Sequence, residues 1–129
     1  YNESRKNIPS DVTAGIIRDI TGATDATLAD ADIVDRCVIP MVNEALAILE
    51  ENKTQRPSDI DVVWINGYGW PLDKGGVMYY ADTIGAEKVL AVMTDLAASD
   101  DSIRVSPLLE ELVRSGARFV DIDTGGLKV

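Results

Sequence analysis

The sequence predicts an all-α domain, a single bundle of roughly five to seven helices. Three observations point there. Apolar residues recur at helical spacing through the longest uninterrupted stretch, from about Asp32 to Asn52. Several segments carry helix start and stop residues in the right order. No series of alternating strands joined by tight turns interrupts them, and no internal repeat is visible.

Taken in order, Ser10 and Asp11 form an N-cap signal ahead of "VTAGIIRDI", and Gly22 closes that short helix. The connector "ATDATLADAD" follows, with Thr27 and Asp30 as its expected capping pair. In the long helix the expected stripe is Val34, Val38, Met41, Val42, Ala45, Ile48 and Leu49, widened by Ile33 and Cys37. Pro40 removes one backbone hydrogen bond and is expected to bend the helix near Asp35 or Arg36. Glu50 and Glu51 fall at the C-terminal end, where they oppose the helix dipole.

"RPSDIDVVWI" reads as a helix with Ser58 as N-cap and Asp59 and Asp61 in its first turn. The run Val62-Val63-Trp64-Ile65 leaves a buried strand as the rival reading. Beyond the glycine-rich stretch, "VMYYADTI" and "AEKVLAVMTDLAA" make two helices separated by Gly85, the second buried through Ala86, Val89, Leu90, Met93 and Leu96. In "SPLLEELVRSG", Ser106 is the N-cap, Pro107 the first helical residue and Gly116 the stop, with Leu108, Leu109, Leu112 and Val113 as the stripe. The tail "ARFVDIDTGGLKV" is expected to hold one docked extended segment and a frayed end. The whole of 1–129 is expected to be one domain, with 1–9 and 124–129 flexible.

Composition narrows the function classes. The formal net charge is −10, which repels nucleic acid and anionic membranes as partners. There is no histidine, which excludes His-based catalysis and most transition-metal sites within this chain. The single cysteine, Cys37, sits in an apolar run and is expected to be a small buried core residue. No apolar run approaches the roughly 20 residues of a membrane span. The polar opening "YNESRKN", with no initiator methionine, is expected to be an internal piece of a longer protein.

The stretch "NGYGWPLDKGG", Asn66 to Gly76, concentrates four of the ten glycines and raises the question of a phosphate loop. A dinucleotide fingerprint needs a third glycine where Leu72 stands, and Pro71 falls where a helix would begin donating N–H groups. No Walker-type string is present. The structural reading is a rigid elbow, with Gly67 and Gly69 at positive φ, Trp64, Tyr68 and Trp70 packed beside it, and Gly75-Gly76 allowing a second sharp turn.

Two strings carry a family resemblance. "DIVDRCVIPMVNEALAILEE" and "RPSDIDVVWINGYGWPLDKGGVMYYADTIG" resemble the C-terminal helical domain of 3-hydroxyacyl-CoA dehydrogenases. The similarity is greatest to the second copy of that domain, at the end of multifunctional fatty-acid β-oxidation enzymes. It runs from about Ile33 to Gly85 and continues more loosely to about Gly116.

The resemblance implies a parent chain that oxidises 3-hydroxyacyl-CoA to 3-ketoacyl-CoA with NAD, and that joins an enoyl-CoA hydratase part, a Rossmann domain and two helical domains. It places the catalytic histidine and its glutamate in the Rossmann domain. This chain is therefore expected to hold no catalytic, cofactor or metal residue of its own. Its expected partners are the Rossmann and first helical domains of the parent, with acyl-CoA as the parent's substrate and homodimerisation through apolar helix faces as a further possibility. Where the first copy has asparagine in an I-V-N-R string, "IVDR" here places Asp35, which lacks an amide N–H, with Arg36 expected to pair with Asp32 or Asp35. Asn43 and Glu44 are expected to satisfy backbone groups near Pro40, and Tyr79, Tyr80 and Asp82 to serve packing and hydrogen bonding. The ending "LKV" is not a peroxisomal address, and bacterial cytoplasm is the expected location.

Overall fold

The structure, a computed structural model, describes residues 3–6, 8–22 and 28–122. The expected cap Thr27 and the expected flexible end 124–129 lie outside the described residues, as do Tyr1, Asn2 and Asn7. Six α-helices follow one another: α1 Asp11–Thr21, α2 Asp30–Glu50, α3 Pro57–Gly67, α4 Val77–Ile84, α5 Ala86–Ser99 and α6 Pro107–Ser115. Short 3-10 turns occupy Leu72–Lys74 and Phe119–Ile122. No strand occurs among the described residues, so the all-α expectation holds.

The 21-residue α2 is the central pillar, packed against α3, α4, α5 and α6. Ile39, Val42, Ala45, Leu46 and Leu49 are its buried face. Val42 and Leu46 are fully buried, each side chain contributing on the order of 1.5–3 kcal/mol by leaving water. The expected stripe missed Ile39 and Leu46, because the buried face is rotated around the helix axis from the expected one, toward the side that carries these two residues. The first two turns of α2 carry no buried residue: Ile33 is 46% and Val34 44% exposed. Cys37 is exposed as well, which corrects the expectation of a core cysteine. Apolar neighbours in sequence did not bury it, because the supporting helices begin to cover α2 only near Val38 and Ile39. The helix runs unbroken through Pro40.

α1 begins where Ser10 accepts the Thr13 N–H at 3.3 Å and ends at Gly22 with φ 64°. α3 is a helix, not a strand. Val62 and Val63 are more than half exposed, so their β-branched side chains face solvent and do not set the local conformation. Its N-cap is Arg56, with Pro57 as the first helical residue, and not Ser58. Arg56 forks onto Asp59 with Nη2–Oδ1 at 2.7 Å, and this guanidinium, first among several causes, lowers the Asp59 carboxyl below its ordinary range. α4 and α5 are separated by Gly85 alone. α6 starts and stops as the sequence predicts, at Ser106, Pro107 and Gly116. The tail differs: instead of an extended segment, Phe119 to Ile122 form a 3-10 turn with Phe119 in the core.

Within the elbow, Gly69 takes φ 69° as expected, but Gly67 is the last residue of α3 and has no positive φ. Gly76 is the tightest position. It has φ 95°, and a Cβ added there would collide with the Asp61 side chain. Gly76→Ala and Gly69→Val are each expected to destabilise by about 1–3 kcal/mol, whereas Gly67→Ala, with open space around it, is expected to be neutral or mildly stabilising. Thermal melts of the three variants check this, with Tm unchanged for Gly76→Ala as the refuting result.

Candidate functional site

The polar groups of the recognisable strings meet around helix starts, because the first N–H groups of a helix have no partner within it. α4 begins after Gly76, which has no side chain to cap it. Asp61, one helix earlier, supplies the missing acceptor. Its Oδ1 receives the Met78 N–H at 2.7 Å and its Oδ2 the Tyr79 N–H at 3.1 Å. From the sequence, Asp61 is expected in the first turn of its own helix; because α3 begins at Pro57, only Asp59 occupies that turn and Asp61 lies beyond it. The signal that could have found it is the bare Gly75-Gly76 pair before "VMYY", a helix start with no local acceptor.

The same arrangement recurs twice. Glu50 Oε1 receives the Ser106 hydroxyl at 2.6 Å and the Leu108 N–H at 2.7 Å. Glu50 is the last residue of α2, as expected, and it also lies at the positive N-terminus of α6. Asn43 completes that joint, its Oδ1 receiving the Ser106 N–H at 2.8 Å and its Nδ2 donating to the Arg104 carbonyl at 2.9 Å. Asn43 therefore holds the segment before α6 and not the carbonyl freed by Pro40. Glu44 stays exposed. Asp82, expected to be a hydrogen-bonding residue, is one: it receives the Phe119 N–H at 2.8 Å and the Val120 N–H at 3.1 Å. Arg118 Nη2 lies 3.6 Å from the same carboxylate.

These contacts bear on the glycine-rich stretch as a phosphate loop. The one helix start that follows the glycine stretch offers two N–H groups in anion-binding geometry. Both are taken by Asp61. A phosphate there would have to displace the carboxylate and face its charge. The elbow is instead closed by aromatic contacts. Trp64 lies 5.0 Å from Tyr68 and 5.9 Å from Trp70, and Trp70 meets Tyr80 edge-on at 6.0 Å. Tyr80 thus packs as expected, while Tyr79 is 58% exposed and uses its backbone, not its ring, to meet Asp61.

Asp35 pairs with Lys88 on α5, Nζ–Oδ2 3.1 Å, not with Arg36 as expected. An apolar groove of about 270 Å³ between α2 and α3 is lined by Met41, Ala45, Ile48, Ile60 and Trp64 among others. Among the described residues, no group of three or more His, Cys, Asp or Glu is placed to hold a metal ion. No described helix is long and apolar enough to cross a membrane.

Residues 33–123 match the family described as 3-hydroxyacyl-CoA dehydrogenase, C-terminal domain. The match extends past α6 to take in the Phe119 turn that Asp82 holds. The human peroxisomal bifunctional enzyme is 47% identical over 64 residues, 50% of this chain and 9% of that protein. The Danio rerio peroxisomal bifunctional enzyme is 36% identical over 99 residues, 74% of this chain and 14% of that protein. A fatty acid oxidation complex subunit alpha from Idiomarina loihiensis is 33% identical over 120 residues, 92% of this chain and 17% of that protein. The chain spans less than a fifth of the length of these relatives. Its helical architecture and the matched residues agree with the resemblance read from the two strings: the chain belongs to the 3-hydroxyacyl-CoA dehydrogenase C-terminal domain family.

Proposed function

We propose that this chain is the second helical copy of a multifunctional fatty-acid β-oxidation enzyme. In this reading it is a non-catalytic domain that buttresses the Rossmann and first helical domains of its parent. The parent oxidises 3-hydroxyacyl-CoA to 3-ketoacyl-CoA, with NAD bound in the Rossmann domain and acyl-CoA as substrate. On the long alignment with the Idiomarina loihiensis subunit, we assign it to bacterial cytoplasm.

The observation that carries this reading is the Asp35–Lys88 ion pair. Asp35 stands where the resemblance puts the substrate-side asparagine of the first copy. A carboxylate held by a lysine can accept but offers no amide N–H. Acidic side chains elsewhere in the domain support the same reading, since Glu50, Asp61 and Asp82 direct their oxygens at backbone N–H groups of this domain.

A second reading, self-association without catalysis, draws on the exposed Ile33 and Val34 and on the apolar residues of α1. Farther along the apolar stripe of α2, Val42, Ala45 and Leu49 are buried inside the domain, and Val38, Met41 and Ile48 are half-buried. Sedimentation velocity across a concentration series separates the two, with concentration-dependent dimers favouring the second.

The purified 129-residue chain is expected to produce no NADH from 3-hydroxybutyryl-CoA and NAD, and turnover above buffer would sink the supporting role. Asp61→Ala strands the Met78 and Tyr79 N–H groups and is expected to cost about 1–3 kcal/mol. In the full-length protein, its loss of activity is expected to follow the loss of folded enzyme, with KM for NAD unchanged; a selective change in KM would place Asp61 in the catalytic machinery instead.

A further inference from the structure

α1 is well formed at both ends yet buries nothing. Ser10 caps its start and Gly22 ends it in the left-handed region, but none of its residues is buried. Val12 is 73%, Ile16 53% and Ile20 79% exposed, and these residues follow one another at i, i+4 and i+8 on one face. Arg18 falls on the opposite face. An isolated 11-residue helix is marginal in water even with favourable composition. This one is rich in β-branched residues and contains Gly15, both unfavourable in a helix. Its stability calls for a packing partner.

α2 carries an unfilled apolar strip of matching period. Its core face is centred on Val42 and Leu46. A second strip runs along another side through Ile33, Cys37 and Met41, again at i, i+4 and i+8. Ile33 and Cys37 are exposed and Met41 is partly buried, at the edge of the groove beside Trp64. The eight residues 22–29 join the two helices, at the upper end of the roughly 2–8 residues usual between antiparallel helices.

We propose that α1 closes antiparallel onto this second strip of α2, as a helical hairpin that sets Ile20 against Ile33, Ile16 against Cys37 and Val12 against Met41. Stepping four residues down α1 matches stepping four up α2, so the three pairs come into register together. The occupant is this chain's own α1 because it is tethered next to the strip and its apolar period complements it. This inference is independent of the role proposed for the domain.

Cys37 is the chain's only cysteine, which gives the test a clean reporter. Under mild oxidation, Ile16→Cys is expected to form an intramolecular disulfide with Cys37, and Arg18→Cys, on the opposite face, to do so at least about tenfold more slowly, since a bridge needs close and correctly directed Cβ atoms. A second measurement does not depend on bridge formation. The double variant Ile16→Asp with Ile20→Asp is expected to raise the rate of maleimide labelling at Cys37 by about tenfold over the unmodified chain, by releasing the cover. Intramolecular bridging that is specific to Ile16→Cys, together with faster labelling of the double variant, supports the hairpin. Equal bridging rates in the two cysteine variants, predominantly intermolecular disulfides, or an unchanged labelling rate would overturn it.

Discussion

Every helix that starts inside a packed domain brings N–H groups that need acceptors, and here three of those needs are met by carboxylates from other elements. Glu50 at the end of α2 serves the start of α6, Asp61 in α3 serves α4, and Asp82 in α4 serves the turn at Phe119. Apolar packing of Leu, Val and Met side chains is strong but tolerant of sliding. Charge-assisted hydrogen bonds are directional. The three joints therefore define which turn of each helix faces which neighbour, while the core around Val42, Leu46, Val77 and Leu112 supplies the bulk of the stabilisation.

The acidic character of the chain looks different from this vantage. A net charge of −10 reads at first as a solvated surface that repels phosphates. Some of that charge is structural. The glycine-rich stretch has the flexibility of an anion loop, yet the helix that follows it already holds an internal anion, Asp61. The same geometry that makes a helix start attractive to phosphate is used within the domain to tie α3 to α4. The proposed supporting role is thereby compatible with a motif that resembles a ligand loop in composition alone.

The parts of the fold legible in the sequence are those controlled by neighbours within a turn or two. Ser10 and Gly22 bound α1, Ser106, Pro107 and Gly116 bound α6, and Gly85 divides α4 from α5, all as local rules predict. The misreadings involve partners far along the chain. Glu50 looks unfavourable until α6, more than fifty residues later, is brought to it. Asn43 reaches Ser106 across a similar separation. Cys37 sits in an apolar string, but where α2 emerges from the bundle cannot be deduced from α2 alone. Ser58 lost the cap position because Pro57 is better suited to the first helical turn, which moves the cap two residues upstream, to Arg56.

The aromatic elbow has a spectroscopic consequence. Both tryptophans of the chain, Trp64 and Trp70, lie in it, with ring centroids 5.9 Å apart and Tyr80 against the second. Intrinsic tryptophan emission is thus a local gauge of the junction between α3 and α4. A shift in its wavelength or intensity reports the opening of that corner, while backbone circular dichroism follows the helices as a whole. Divergence between the two signals during unfolding would mark the elbow as a separately melting unit.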